Sequence, residues 1–446
     1  MFARSRSRAR RGTVAGATPV PILAGGDFAA QAVGAATSLY GLTFTRASTA
    51  TTHDYAAGTI TAGIAVDTAR IAKTAATRIG LLNEPSRTNR LVRSQDPRSA
   101  SGWTYISTPT VTRPSGTGPD GSATTPTRIQ ASASPLQGVY RSVTLSTGTP
   151  SIMSYWIRAQ TGTDTELIGI STVGGGSPGA GASPGTTSWK RRITATASAT
   201  SAAANAFAAD GRGNTLFSGV SFGPTALDQV VDYGQVETGR WASSAIPTQG
   251  STVLRAADAL AVPSATVVTG QSLRFHCTIE VPAARASLGE LTGTTLTIFA
   301  AGSYYATMST STGVITVGGR DLGDTAFVTD TTIGSIALAA NDVIELWIVL
   351  GGGLVTTVEY SRNGGAVVSM PMTSGTGMIV ATAGAGAIGA SIDLLHDAGA
   401  AHLPGVVLDL AFYAAGQYPP TFAPTALAAE TGADLWTETS DPLAVE

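Results

Sequence analysis

Short runs of alternating apolar and polar residues cover most of the chain, and clusters of Gly, Pro, Ser and Asn separate them. Alternation with a period of two marks half-buried strands. Ile152-Met-Ser-Tyr-Trp-Ile-Arg158 is the clearest case. The pattern predicts early strands at Leu42–Arg46, Gly58–Val66 and Arg78–Leu82. It predicts a second group at Thr125–Gln130, Gly138–Leu145, Ser151–Ala159, Glu166–Thr172, Lys190–Thr196, Thr215–Phe222 and Gln229–Glu237. A third group follows at Leu273–Val281, Thr294–Ala300, Tyr304–Ser309, Gly313–Val317, Asp342–Leu350, Leu354–Tyr360 and Gly405–Tyr413. Asn363-Gly364 between apolar runs predicts a tight hairpin turn. Strands at this spacing, split by turn residues, predict an all-β chain with two jelly-roll β-sandwich domains in tandem. The expected division is an extended arm at 1–40, a short β-rich connector at 41–95, sandwiches at 96–260 and 261–423, and an acidic tail at 424–446.

Composition supports this class. The chain has 446 residues, more than one core accommodates. Charged residues make up 13%, about half the usual share, and Ala, Gly, Thr and Ser fill the deficit. The single cysteine, Cys277, excludes an intrachain disulfide and reads as a small buried hydrophobe. No apolar run is long enough to span a membrane. Thr18, Pro19, Pro21, Gly25 and Gly26 interrupt the only stretch resembling a signal peptide, so no cleaved signal is expected.

Net charge is −2, which implies no polyelectrolyte partner for the whole chain and makes nucleic acid an unexpected one. Its distribution is uneven. Arg4, Arg6, Arg8, Arg10 and Arg11 crowd the N-terminus. No Lys or Arg follows Arg362, whereas Asp393, Asp397, Asp409, Glu430, Asp434, Glu438, Asp441 and Glu446 do. The arginine arm is a candidate anchor to an acidic neighbour.

Three blocks carry more information than composition. They are Leu42-Thr-Phe-Thr-Arg-Ala-Ser-Thr-Ala-Thr51, Gly80-Leu-Leu-Asn-Glu-Pro-Ser-Arg-Thr-Asn-Arg-Leu91, and Tyr233-Gly-Gln-Val-Glu-Thr-Gly239 with Ala245-Ile-Pro-Thr248 and Leu254-Arg-Ala-Ala-Asp258. In this order they resemble virion surface structural proteins of tailed phages and gene-transfer agents, such as head spikes and tail fibres. Asn83 and Ala245 depart from that pattern, which commonly has an apolar residue and Tyr there. Asn83-Glu-Pro-Ser-Arg-Thr-Asn89 reads as a polar turn with Glu84 and Arg87 as candidate ion-pair partners, and the resemblance treats this segment as a structural hinge into the sandwich. The third group of strands, with Tyr360-Ser-Arg-Asn-Gly364 and the closing run Val406–Tyr413, resembles the concanavalin-A/laminin-G-like jelly roll.

No HExxH or Walker motif is present, so the chain is not expected to be an enzyme. No cofactor is expected. The laminin-G likeness suggests calcium at Asp321 and Asp324, although two carboxylates are few for that ion. Trp103, Tyr105, Trp241, Tyr304 and Tyr305 fall in loops or at strand ends and are candidate carbohydrate-binding residues, because a sugar face stacks on a ring. Trp156 and Trp347 lie inside apolar strands and read as core. The resemblance implies a spike or fibre subunit made in the host cytoplasm and placed on the virion surface. Its arm would hold capsid or other virion proteins, it would form a homo-oligomer, and it would adsorb to host polysaccharide. The alternatives are a capsule-degrading tailspike enzyme and a ligand-free decoration or connector protein.

Overall fold

The computed structural model describes residues 24–131, 138–145, 148–160, 165–172, 180–184, 187–193, 197–198, 203–210, 227–263, 273–292, 294–301, 304–321, 327–350, 357–373, 378–379, 391–395 and 402–414. Among these the fold is all-β, with β-sandwich units and one α-helix, Arg285–Thr292. No helix among them is long and apolar enough to cross a membrane.

The larger unit packs two large sheets face to face. The first sheet runs Val368–Met370, Thr357–Arg362, Val343–Leu350, Leu273–Glu280, Gly405–Ala414, Ile79–Asn83, Arg70–Lys73, Ala50–Asp54, Thr59–Ile64. The second runs Phe327–Thr331, Ile315–Asp321, Tyr304–Ser309, Thr295–Ala301, Ser391–Leu394, Ala259–Pro263, Thr43–Thr45. Alternation sets the layers. Ile344, Leu346 and Ile348 join Phe275, Cys277 and Ile279 in one apolar core with Leu296, Ile298 and Phe299 of the facing sheet. Burying each large side chain contributes about 1.5–3 kcal/mol. Trp347 alternates to the other face, where it stacks on His276 at 5.4 Å. It is buried, but not in the sandwich core that its apolar strand suggested. Asn363 and Gly364 both have positive φ, and the turn they make joins Thr357–Arg362 to Val368–Met370.

Of residues 41–95, expected to be a connector, 43–83 instead build this unit. Ile79–Asn83 pairs with Gly405–Val407 of the last strand, and Ala24–Asp27 pairs with Asp409–Phe412 of the same strand. Phe28, within the expected arm, is fully buried in the core. The physical reason is edge satisfaction. Without these partners the last strand would leave a row of backbone groups unpaired. Gly25 permits the close pairing, since its φ is +104° and a Cβ there would strike the Leu410 carbonyl.

The second unit is inserted between Asn89 and Val253. Its ends are zipped by a two-stranded ladder, Arg87–Asn89 against Val253–Arg255. Within it, Leu227–Thr238 pairs with both Thr127–Ala131 and Pro150–Ala159. Its core holds Trp103, Ile129, Val139, Met153, Tyr155, Ile157 and Val231. The ladder with Pro150–Ala159 is irregular between Ser154 and Trp156, beside Tyr233 at φ 49°. Tyr233 joins Trp156, Ala245 and Ile60 in a small apolar cluster that links the two units. The Thr215–Phe222 run and the 424–446 tail lie outside the described residues.

Candidate functional site

The three blocks, far apart in sequence, converge at the neck of the insertion. Arg46, Arg70, Glu84, Arg255 and Asp258 are all at most 3% exposed there. Arg70 Nη2 donates to both Glu84 Oε2, at 3.0 Å, and Asp258 Oδ2. Arg255 Nη1 donates to Glu84 Oε2 and, at 2.5 Å, to Ser244 Oγ. Arg46 Nη1 reaches Asp258 Oδ1 at 3.3 Å, and its other donors hold the Ser48 and Ala65 carbonyls. The backbone amides of Glu84 and Ser244 also donate to these carboxylates. Five ionised side chains out of water are costly, and such a cluster persists only when nearly every lone pair and donor is met.

Uncharged and paired motif residues complete the joint. Asn89 is fully used: Nδ2 donates to Gly234 O and Ile246 O, and Oδ1 accepts from the Leu91 and Val236 amides. Gln235 Oε1 accepts from Ile246 N at 2.7 Å, and Glu237 accepts from Ser243 N and Oγ. Arg87 lies over the Trp241 ring at 4.1 Å and donates to the Thr238 and Trp241 carbonyls. Asn83, the departure from the resembled pattern, donates to Leu403 O at 3.0 Å.

The electrostatics follow from crowding. Burial works to raise the Glu84 carboxyl, but Arg255, Arg70 and the Ser244 hydrogen bonds outweigh it and hold Glu84 well below the usual range. Burial lowers Arg87 to about 10, against the pull of Glu237. Burial also lowers His53 to about 3, with Arg191 adding to the drop, so its ring is neutral at ordinary pH. Every charge in the hub is committed to another hub group, which is the arrangement of a joint and not of a reactive site.

The sequence-predicted aromatic residues are not brought together. Trp103 is 3% and Trp241 5% exposed, so neither offers a ring face to solvent. Trp103 packs in the inserted core, and Trp241 lies under Arg87. This corrects their placement as surface platforms: turn-rich flanks looked like loops, but both rings fill gaps beneath them. Tyr105 and Tyr305 are half-buried, in strands of different units. Tyr304 begins a strand in the second sheet of the larger unit. Asp321 ends Ile315–Asp321, whereas Asp324 and Arg4, Arg6, Arg8, Arg10 and Arg11 lie outside the described residues. Among the described residues no group of three or more His, Cys, Asp or Glu could hold a metal ion.

Two half-buried aromatic residues at the unit junction were not singled out from sequence. Tyr55 stacks on Trp156 at 5.7 Å and accepts from Arg191. Trp189 lies under Arg158 at 5.4 Å and donates to Thr117 O at 2.9 Å. The run Trp189-Lys-Arg-Arg192 is the signal that could have marked Trp189, being a tryptophan beside three cations in a charge-poor chain.

No protein-family model matches the chain, and no curated protein does. Among solved structures it is similar to the N-terminal CBM22-1–CBM22-2 tandem domain of Paenibacillus barcinonensis Xyn10C, at 10% identity and a TM-score of 0.26, over 74% of this chain and 99% of that one. It is also similar to domains LG4-5 of the mouse laminin α1 chain, at 8% identity and a TM-score of 0.21, over 62% of this chain and 87% of that one. At TM-scores of this size neither likeness assigns a family.

Proposed function

We propose that the chain is a structural subunit on the surface of a virion-like particle, a spike or fibre that adsorbs to host polysaccharide. The observation that carries this reading is the convergence of the three blocks. The residues that give the resemblance to virion surface proteins are those that fasten the two units together, so the resemblance rests on fold-defining positions. The proposed test is binding of the purified chain to encapsulated and capsule-less cells of one strain. Capsule-dependent binding is expected. Equal binding to both removes the adsorption role.

A ligand-free decoration or connector role is the second reading, favoured by the burial of Trp103 and Trp241. Both readings place the arginine arm on a particle protein. The first described residue is Ala24, so removing 1–11 takes away no described strand. That truncation is expected to melt within about 1–2 °C of the full chain while losing incorporation into particles. Normal incorporation would refute the anchor.

A further inference from the structure

Residues 115–126 form a loop of the inserted unit that reaches the larger one. Ile60, on the edge strand Thr59–Ile64, donates its amide to Pro119 O at 2.8 Å. Thr117 O accepts from Trp189, and Ser115 O accepts from Arg158 Nη2 at 3.5 Å. On the inner side two carboxylates hold the loop. Asp120 Oδ2 accepts from Tyr233 Oη at 2.8 Å, and Asp120 Oδ1 from Ser122 N at 3.0 Å. Asp232, fully buried, accepts from Thr125 Oγ1 at 2.7 Å, Tyr233 N at 2.9 Å and Gln95 Nε2 at 3.3 Å. A Cβ on Gly118 would lie 2.8 Å from Asp120 Oδ1 and 2.9 Å from Asp232 Oδ2. The two carboxylates are therefore within the roughly 4–6 Å over which one negative charge opposes another.

We propose that this loop is a proton-operated clasp between the two units, shut while the buried Asp232 carboxyl holds a proton and loosened when it ionises beside Asp120. The clasp joins the inserted unit to an edge strand remote in sequence, so loosening it releases the Ile60–Pro119 contact first. The groups around Asp232 are acidic or neutral: Asp120 and Thr125 from the loop, Gln95 from the segment after the neck, Tyr233 on its own strand and Tyr155 on the next. Arg141 acts on Tyr155, and Arg158 sits at the mouth of the loop. Burial lifts the Asp232 carboxyl to about 7, Asp120 adds to the rise, and the hydrogen bonds from Thr125, Tyr233 and Gln95 oppose it. The sign follows. A carboxyl that is raised in the shut state and ordinary, at 3.8, when hydrated favours closure most at low pH. The shut-to-open ratio falls by up to about tenfold per pH unit between those values and levels off above 7.

The test is amide hydrogen exchange in the intact chain at pH 5 and pH 7.5, corrected for intrinsic rates. Protection of the Ile60 amide is expected to fall at least tenfold across that range. The Val281 amide, bonded to Asp342 O inside the larger unit, serves as control and should not change. Asp232→Asn should make Ile60 protection independent of pH. Asp120→Asn, which keeps an acceptor for Tyr233 and removes the like charge, should shrink the fall. An unchanged Ile60 in the native chain overturns the clasp. So does an undiminished fall in the variants, with Asp120→Asn deciding alone if Asp232→Asn does not fold.

Discussion

Asp258→Ala is expected to cost about 3–5 kcal/mol, the range for removing one partner of a buried ion pair. The substitution strips Arg70 and Arg46 of a carboxylate and the Glu84 amide of its acceptor. Three buried guanidinium groups would then face Glu84 alone. Total stabilities are about 5–15 kcal/mol, so the variant should lose roughly 10 °C in Tm or fail to accumulate. Arg46→Met provides the contrast. It also breaks a pair, but it leaves two cations facing two anions, and its loss should be under about half that of Asp258→Ala. Denaturant melts of both variants check this, and an Asp258→Ala chain within about 1 kcal/mol of the native one would dismiss the hub as a stabilising joint. The same geometry fixes a pH response. Because Glu84 is held below its ordinary 4.5, its contribution is fully present above that value and is lost as pH falls beneath it.

The second large effect concerns the boundary at 261. Expressed alone, 261–423 is expected not to fold. It lacks Ala24–Asp27 and Ile79–Asn83, so the outer edge of Gly405–Ala414 is left bare. Phe28, Leu42, Phe44, Ile71, Leu81 and Leu260 also leave the shared core. At about 1.5–3 kcal/mol each, their loss is as large as the whole stability of a typical domain. Circular dichroism and amide NMR dispersion would read the outcome. A chain of 24–90 joined by a short linker to 252–414 should restore dispersed spectra. A dispersed, monomeric 261–423 would show that the N-terminal strands only decorate a unit that folds without them.

Class and strand positions were legible because alternation is a local signal. Ser151–Ala159 and Gly405–Tyr413 differ from the observed strands by a residue at an end. Asn363-Gly364 marks its turn because both residues take the left-handed region that this turn requires. Partnership was not legible. Nothing local in Ile79-Gly-Leu-Leu-Asn83 says that it pairs with a strand more than three hundred residues later. The blocks were visible, but their polar residues read as a turn with a local Glu84–Arg87 pair. In the structure Glu84 instead meets Arg70 and Arg255, and Arg87 turns to Trp241. A loop tryptophan looks the same in sequence whether its ring faces solvent or a cavity, so Trp103 and Trp241 were misplaced.

The ladder of Arg87–Asn89 against Val253–Arg255 brings both chain crossings of the insertion side by side. A segment whose two ends already touch can be exchanged for another of different length with little loop-closure cost, since that cost grows only slowly with length. Recombination could therefore swap the whole segment like a cassette, provided the newcomer supplies Gln235, Ser244 and their neighbours at its trailing end. The socket would be inherited and the plug traded.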